Sequence, residues 1–471
     1  MSFKLQHIDL ESKFTHHLTL DILERYYPRA IVQDLLSQCL AWEKRERKLS
    51  QLLIVYYVIG LWLFRGLNQQ AVFARLCSGL SWLWPDADLS LPGASALLYR
   101  RQHLAVTVMR RLFRRCCRPL GTVATPGAFR FGLRLMALDS TLEDVAESPA
   151  NALHFGRLTS GKSASPFPQV RCLYLAEVGT HLIIDAVPAP CGKSEQYLSP
   201  TLLRSIEPGM LVLMDRNFPS MDWLSSVRHK QAHALARLAS NRFTKPERVL
   251  SDGSTLHTLH PSNGPAFQVR VIEYRLIPQL VDDLTPLPRS RNSDPANPGQ
   301  IHRLVTTLLD PAVASALELI LCYHERWEIE EIIGETKTSL RFTQAPLRSQ
   351  DPMLVYQEIY GLLLAHYAVR AWMCESATQA GLDADRLSFT HGIEVLHQAC
   401  AYAPLVATED QPRFQQRILC ALRDPSSLLP ARRLRFYPRV LKRAQASFVR
   451  KRPHDEGFTL KHTSFRDVLL I

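Results

Sequence analysis

The sequence predicts an α/β protein: a core of alternating strands and helices, interrupted by a β-rich insertion, with an all-helical N-terminal segment and a helical C-terminal region. Three patterns predict this class. Apolar residues recur at helical spacing up to about residue 125, and strand-like and helix-like runs alternate from Phe131 to Ala239. After Ala239, polar and apolar residues alternate as in a β-strand. The chain has 471 residues, of which 46% are hydrophobic, so it can form several domains with a sizeable core.

The N-terminal segment is predicted to form four helices, at Leu20–Leu40, Gln51–Arg65, Gln69–Leu80 and Ser95–Arg118. Within it, Leu52–Phe64 is strongly apolar but too short to span a bilayer, so we interpret it as a buried helix and expect no membrane association. The N-terminus lacks a signal-peptide pattern, and the ten cysteines are scattered without metal-ligand spacing. Together these features favour a cytoplasmic protein with reduced thiols.

One stretch of this segment is unusually basic. Between Leu89 and Leu138 there is no acid, and the net charge of the whole chain is +12. Such a run is often only a solvated face, but its density favours a phosphate-binding surface, and arginine suits bidentate phosphate contacts. The candidate DNA-binding residues in this stretch are Arg100, Arg101, Arg110, Arg111, Arg114 and Arg115.

The α/β core is predicted from the order of its strands and helices. Strands are expected at Phe131–Leu138, Val170–Glu177, His181–Val187, Met210–Met214 and Ala234–Ala239, with helices at Glu195–Ser205 and Ser220–Lys230. The first and fourth strands are each followed by an acid, Asp139 and Asp215. A buried strand that runs into an aspartate twice suggests a site that holds cations with hard oxygen ligands.

The insertion, predicted from Asn241 to about Gln300, is expected to be β-rich. Gln268–Arg275 alternates polar and apolar residues, and the pairs Asp252-Gly253 and Asn263-Gly264 are turn signals. Leu284–Gly299 is rich in Pro, Ser and Asn and reads as an exposed loop. His302–Leu309 then returns as a strand.

A helix is predicted from Tyr323 to Lys337, where Glu, Ile and Trp are abundant and Pro is absent. At about 100° per residue, Tyr323, Arg326, Glu330 and Lys337 share one stripe beside an apolar seam. Glu330 is therefore expected at the edge of the core, while Glu325, Glu328, Glu331 and Glu335 are expected to face solvent or other partners. Asp139, Asp215 and Glu330 together outline a site for Mg²⁺ or Mn²⁺.

The spacing of Tyr323, Arg326, Glu330 and Lys337 resembles the YREK box of the DDE transposases of the insertion-sequence four family. Four further blocks resemble that family: Asn151–Arg157, Phe167–Arg171, Leu213–Phe218, and Leu347–Ser349 with Val355–Glu358. The resemblance covers roughly residues 20–375 and implies a ribonuclease H-like core. The domains it implies are a DNA-binding N-terminal domain (1–125), a catalytic core (126–240 and 302–380), the β-rich insertion (241–301) and a helical, basic C-terminal region (381–471).

The resemblance also implies the chemistry. Asp139 would bridge two divalent ions, Mg²⁺ or Mn²⁺, with Asp215 on one and Glu330 on the other. The substrate would be double-stranded DNA, at the element's terminal inverted repeats and in the target, held by a homodimer on paired ends in the bacterial nucleoid. A hairpin intermediate would form. Tyr323, Arg326 and Lys337 would bind phosphates, or alternatively pair with neighbouring glutamates. Trp327 is expected in the core, the weaker alternative being an aromatic that holds a flipped base near the cut.

Rival interpretations remain open at the sequence level. Asp144, Asp185 and Glu195 are expected in turn, cap or helix-start roles, while His154 and His181 are weaker candidates for acid–base work. The chain could instead be a DNA-binding relic without activity, or a ribonuclease H-like nuclease. The basic C-terminal stretch from Arg432 to Arg452, interleaved with aromatic residues, suits either nucleic-acid contact or a solubilising tail.

Overall fold

The computed structural model describes residues 21–39, 49–64, 66–76, 92–160, 163–238, 246–262, 264–276, 301–341, 345–403, 406–433, 466 and 469–470. The chain divides into two compact units. The first comprises Met1–Ser205 with Glu328–Pro430, and the second comprises Ile206–Trp327 with Ala431–Ile471. The predicted loop at Leu284–Gly299 and the basic stretch beyond Arg433 lie outside the described residues.

The N-terminal part of the first unit is helical, as predicted. Its helices are α1 (Asp21–Glu24), α2 (Arg29–Gln38), α3 (Gln51–Leu63), α4 (Gln69–Leu76), α5 (Ala94–Gln102) and α6 (Val106–Cys116). The prediction of one helix from Ser95 to Arg118 is wrong, because the chain breaks between α5 and α6. The Gln357 side chain donates hydrogen bonds to the carbonyls of Arg101 (2.8 Å) and Leu104 (2.5 Å) at this break, a distant contact that no local pattern reveals.

The first unit also contains an antiparallel sheet. Its strands are β1 (Phe129–Arg130), β2 (Leu133–Asp144), β5 (Gln169–Glu177) and β6 (Leu182–Pro190), while β3 (Thr159–Ser160) and β4 (Ser163–Ala164) form a separate hairpin. β2 pairs with β1 and β5, and β5 pairs with β6. Because β2 continues to Asp144, Asp139 lies within the strand opposite Tyr174, which corrects its predicted place after the strand end.

The remaining helices of the first unit surround one long helix. They are α7 (Pro149–Phe155), α8 (Glu195–Leu198, continued as a 3₁₀ helix to Ser205), α11 (Glu328–Gly334), α12 (Pro352–Ala380), α13 (Phe389–Tyr402) and α14 (Gln411–Leu422). α12 packs against α3, α6 and β6, and the predicted helix at Pro352–Ala380 and burial of α3 are both confirmed. At Gly361 an added Cβ would lie 2.8 Å from the Val58 carbonyl oxygen, so glycine permits this close packing of α12 on α3.

The second unit is built on a mixed sheet. Its strands are β7 (Met210–Met214), β8 (His233–Arg237), β9 (Arg248–Val249), β10 (Thr255–Leu259), β11 (Phe267–Leu276), β12 (Ile301–Thr306) and β13 (Leu469–Leu470). β7 and β8 are parallel, whereas β8–β12, β12–β11, β11–β10 and β10–β9 are antiparallel. The helices of this unit are α9 (Met221–His229) and α10 (Ala316–His324).

The β character predicted for the insertion is confirmed by β10 and β11. Gly253, at the predicted turn before β10, has a φ of +80°, a conformation that favours glycine. The alternating stretch from Gln268 lies within β11, and Val269 and Val271 face the interior while Gln268 is exposed. Among the helices of the described residues, none is long and apolar enough to cross a membrane.

Candidate active site

The segment from Tyr323 to Lys337 is helical but is not one regular helix. α10 ends at His324, Glu325–Trp327 forms a 3₁₀ turn, α11 covers Glu328–Gly334, and Glu335–Ser339 winds as a π-helix. Each change of helix type rotates the following side chains relative to the 100° progression, so the regular helix assumed for the predicted stripe is wrong. Mid-helix 3₁₀ and π segments often mark functional positions, which a regular period cannot reveal.

In the second unit, Tyr323 lies close to Asp215 at the end of β7. Its side chain is 8% exposed, and its hydroxyl donates a 3.2 Å hydrogen bond to the carbonyl of Met214, the residue before Asp215. Burial, above all, raises the pKa of the phenol, and the nearby Asp215 carboxylate raises it further. Tyr323 is therefore a neutral donor that joins α10 to the strand end, while Asp215 is half-buried and reachable from solvent.

Arg326 and Trp327 form the turn that follows in the second unit. Arg326 is 7% exposed, with its guanidinium carbon 5.0 Å from the ring centre of Trp327 and 6.0 Å from that of Tyr323. Trp327 is 38% exposed, which contradicts its predicted place in the core. The guanidinium thus lies against two aromatic rings, an arrangement that stabilises a cation by its contact with π electrons.

The first unit contains the other two predicted acids. Asp139 is half-buried, and its Oδ1 accepts a 2.8 Å hydrogen bond from the Ser140 amide. α11, which carries Glu330, packs against β2, which carries Asp139. Glu330 and its neighbour Glu331 are exposed, whereas Glu328 is buried, so the expectation that Glu330 lies at the edge of the core is wrong. The first unit therefore places Glu330 on a helix that packs against the strand of Asp139, and Asp215 lies in the second unit.

Lys337 connects the π-helix to β2. Its Nζ donates to Thr141 Oγ1 at 2.9 Å and to the Leu142 carbonyl at 2.7 Å, and it lies 4.0 Å from a carboxylate oxygen of Glu143. Glu143 is itself buried and forms an ion pair with Arg341. The lysine side chain is 37% exposed, so it remains reachable from solvent while it is held against the strand of Asp139.

Two family matches decide the identity of the chain. Residues 17–114 match the family described as "Insertion element 4 transposase N-terminal", and residues 130–367 match the one described as "Transposase DDE domain". The second match spans all three acids and the YREK box. The chain belongs to the DDE transposases of the IS4 family.

The chain is also similar to two curated bacterial proteins and to one solved structure. The transposase is 28% identical over 425 residues to "Transposase InsG for insertion sequence element IS4" of Escherichia coli K12, which covers 87% of this chain and 90% of that protein. It is also 28% identical over 146 residues to "Putative transposase InsZ" of the same organism, covering 31% of this chain and 49% of that protein. A solved piggyBac transposase synaptic complex with hairpin DNA is 11% identical, with a TM-score of 0.44, covering 90% of this chain and 88% of that one.

The DDE match implies that the transposase uses a divalent metal, and three acids that are at least partly exposed fit that use. Asp139 and Asp215 are half-buried and Glu330 is exposed, so hydrated ions can reach all three carboxylates. Carboxylate oxygens are the ligands that Mg²⁺ and Mn²⁺ prefer. Greater exposure to solvent distinguishes these acids from the neighbouring glutamates Glu328 and Glu335, which lie in the interior.

The transposase holds those two glutamates in a buried polar network. Glu335 forms an ion pair with Arg370, and its Oε2 lies 2.9 Å from His366 Nε2. His181 lies between Glu335 (Nδ1 to Oε1, 3.2 Å) and Glu328 (Nε2 to Oε2, 2.9 Å). Burial lowers the pKa of His366 to about 3, with a further contribution from His181, so His366 is neutral near pH 7.

His181 is the centre of this network. It is fully buried, has a φ of +62°, and its Nε2 also lies 2.9 Å from Asp385 Oδ1. His181, Glu328 and Asp385 offer three ligand atoms within 4.8 Å of one another, a set that could hold a metal ion. The sequence interpretation considered His181 only for acid–base work and missed the network, although His366 and Arg370 are four residues apart on α12 and so share a helix face.

The basic residues predicted in the N-terminal segment fall into different environments. Arg100 is 8% exposed and Arg101 is 1% exposed, so their assignment to a DNA-facing surface is wrong. Arg101 lies 3.8 Å from Glu358 and 3.4 Å from the Ser349 hydroxyl, and this buried charge is balanced within the protein. Arg111 is exposed and Arg115 forms an ion pair with Asp34. Arg110 and Arg114 are half-buried.

The rival acids are occupied by other contacts. Asp185 is fully buried and bound by Arg204 and Ser205, and Asp144 accepts a hydrogen bond from Gln169. Glu195 accepts from Ser140 and pairs with Arg171, and its place at the start of α8 is the one predicted. His154 lies 3.0 Å from the Tyr356 hydroxyl on the surface.

Proposed function

We propose that Asp139, Asp215 and Glu330 are the metal ligands of this transposase and that they hold two Mg²⁺ or Mn²⁺ ions. The observation that carries the proposal is the contrast among the acids of the first unit. Glu330 is exposed on a helix packed against the strand of half-buried Asp139, whereas Glu328 and Glu335 on the same segment are buried. The buried carboxylates bind His181 and Arg370 inside the protein, whereas Asp139 and Glu330 are more accessible to solvent and so to cations.

In the proposed reaction, water cuts the DNA at the element end and the freed 3′-hydroxyl then attacks a second phosphodiester. When bound, two divalent ions supply activation of the attacking oxygen and stabilisation of the leaving oxygen. The protein positions Asp139 through the amide of Ser140 and holds the strand end before Asp215 through Tyr323. Both contacts fix carboxylates before the substrate arrives, which reduces reorganisation during the reaction.

The cations of the YREK box are proposed to bind DNA phosphates near the cut. Lys337 is best suited, because its side chain is 37% exposed beside the strand of Asp139. Arg326 is more deeply buried and lies against the exposed ring of Trp327, so it would reach a phosphate only beside that ring. Charge-assisted contacts of this kind position the DNA without reading its sequence.

The partners follow from this reaction. The proposed substrates are double-stranded terminal inverted repeats and target DNA, bound by a homodimer on paired ends, with a hairpin intermediate. The proposed site of action is the nucleoid in the bacterial cytoplasm. Residues 1–125 would bind the repeats, 126–240 and 302–380 would carry the chemistry, 241–301 would touch the cleaved end, and 381–471 would form the helical, basic C-terminal region.

Cleavage of a labelled duplex that carries the terminal repeats flanking the coding sequence tests this function. The wild-type chain is expected to nick the duplex in Mg²⁺ and not in EDTA, while Asp139→Asn binds the duplex without nicking it. A matched Asp144→Asn variant, at the far end of the same strand, should nick normally. Binding without nicking by the wild type in both Mg²⁺ and Mn²⁺ would favour the alternative, a DNA-binding relic.

A further inference from the structure

Two arginines of the first unit lie against a single buried acid, and a third arginine lies beside them. Arg110 and Arg114 lie four residues apart on α6 and so share one face of that helix. Arg204 lies on the 3₁₀ segment that follows α8. Asp185, on β6, is the acid, and its side chain is fully buried.

The acid is already bound by one of the three. Arg204 donates to both carboxylate oxygens of Asp185, from Nε at 2.8 Å and from a terminal nitrogen at 2.7 Å, and the Ser205 hydroxyl donates at 2.6 Å. Arg114 is only at the margin of contact, with its Nε 4.0 Å from Asp185 Oδ1. The Nε atoms of Arg110 and Arg114 are buried and have no hydrogen-bond acceptor among the described residues.

The charges of this group do not balance. Burial lowers the pKa of Arg114, Arg204 lowers it further, and Arg110 adds to the effect, whereas Asp185 raises it. The remaining titratable neighbour, Tyr360 on α12, has its pKa raised to about 12 by burial and is neutral near pH 7. The group therefore contains three cations and one carboxylate, and like charges four residues apart on a helix destabilise it.

The excess charge is open to solvent. The side chains of Arg114 and Arg204 are 37% and 30% exposed, and Arg110 is half-buried. Because the Nε atoms of Arg110 and Arg114 are buried, an anion from outside would reach these guanidinium groups at their terminal nitrogens. Guanidinium groups bind phosphate oxygens bidentately, and a partly desolvated cluster strengthens such contacts.

We propose that Arg110, Arg114 and Arg204 form a clamp for a DNA backbone phosphate. The proposal rests on the proposed function in one respect, that the polyanion handled by this chain is DNA. Because the clamp offers only guanidinium donors, it binds the phosphate without reading bases. It also distinguishes Arg110 and Arg114 from Arg115 on the same helix, whose charge is paired with Asp34.

Fluorescence anisotropy of the full chain with a labelled duplex of unrelated sequence, over a series of salt concentrations, tests the clamp. Arg110→Gln and Arg114→Gln are each expected to weaken binding and to lower the slope of log K against log[salt] by about 0.9, the release from one phosphate contact. Arg115→Gln, the matched control, is expected to keep the wild-type slope.

Thermal unfolding separates binding from a structural role. Relief of repulsion at Arg114 predicts that Arg114→Gln unfolds at the wild-type temperature or higher while it binds DNA less tightly. An unchanged salt slope for Arg110→Gln and Arg114→Gln overturns the clamp, and so does weakened binding accompanied by a lowered Tm. If the variants change the salt slope as expected but the wild-type chain does not nick element ends in Mg²⁺, the clamp stands and the catalytic proposal is refuted.

Discussion

Replacing Arg370 by leucine tests how strongly the buried network stabilises the first unit. Arg370 is 2% exposed, its Nε donates to Glu335 Oε2 at 2.8 Å, and a second nitrogen contacts Oε1. Glu335 is 8% exposed, so Arg370→Leu leaves a buried carboxylate without its guanidinium. Breaking a buried pair in this way costs about 3–5 kcal/mol. At about 2–4 °C for each kcal/mol, the expected fall in Tm is about 6–20 °C.

Circular dichroism during heating at pH 7 measures this fall, with two controls. Arg115→Leu breaks an ion pair whose side chains are 46% and 44% exposed, and exposed pairs contribute about 0–1 kcal/mol. The double variant Arg370→Leu/Glu335→Leu removes both charges and is expected to recover much of the lost stability. The reasoning is refuted if Arg370→Leu is no more destabilising than Arg115→Leu, or if the double variant is less stable than the single one.

Three further predictions concern single side chains. Burial and the charge of Arg237 lower the pKa of His302 to about 4, so between about pH 6.5 and 4 the unfolded chain binds a proton that the folded chain does not. As the pH falls through that range, the free energy of unfolding should decrease by at most about 1.4 kcal/mol per pH unit. His302→Phe should reduce this decrease, measured by denaturant titrations at each pH. Lys337→Met removes a charged donor worth about 1.5–3 kcal/mol and should slow single-turnover cleavage about 10–150-fold. Tyr323→Phe leaves the Met214 carbonyl without its donor and should lower stability by about 1–3 kcal/mol in urea unfolding.

Each of these predictions has a contrary result. If the free energy of unfolding depends on pH in the same way for wild type and His302→Phe, the imidazole has the same pKa in the folded and unfolded states. Cleavage by Lys337→Met at the wild-type rate would remove the lysine from the site, and Lys230→Met, an exposed lysine of the second unit, provides the comparison. Stability of Tyr323→Phe equal to that of the wild type would mean that the hydroxyl contributes nothing to the strand end.

The elements that the sequence predicted best are those with local boundary signals. The strand Met210–Met214 is a run of buried apolar residues, and its predicted and observed limits coincide. The helix Pro352–Ala380 begins at Pro352 after the cap Asp351, whose carboxylate accepts from two backbone amides, and ends before Gly381 with a φ of +63°. Such signals act within a few residues and need no knowledge of distant contacts.

The features that were missed depend on contacts between distant parts of the chain. In the sequence, Arg101 belongs to a basic stretch without an acid. Its partner Glu358 is distant in the chain and comes close to it only in the folded protein. The break after α5 depends on Gln357, and the network around His181 joins a strand start to two helices. Asp215 follows the end of β7 as the sequence predicted, whereas Asp139 lies inside β2. The exposure of Glu330 beside buried Glu328 depends on the packing of α11, which no local pattern reveals.

We propose that exposed Glu330, and not its neighbours, takes up the catalytic metal. The most direct measurement compares Mg²⁺-dependent nicking of the labelled element-end duplex by wild type, Glu330→Ala and Glu331→Ala, with gel-shift binding measured in parallel. Glu331 is adjacent and equally classed as exposed, so it controls for the loss of one surface carboxylate. We expect Glu330→Ala to bind DNA without nicking it and Glu331→Ala to nick like the wild type. Nicking by Glu330→Ala at the wild-type rate would contradict the account.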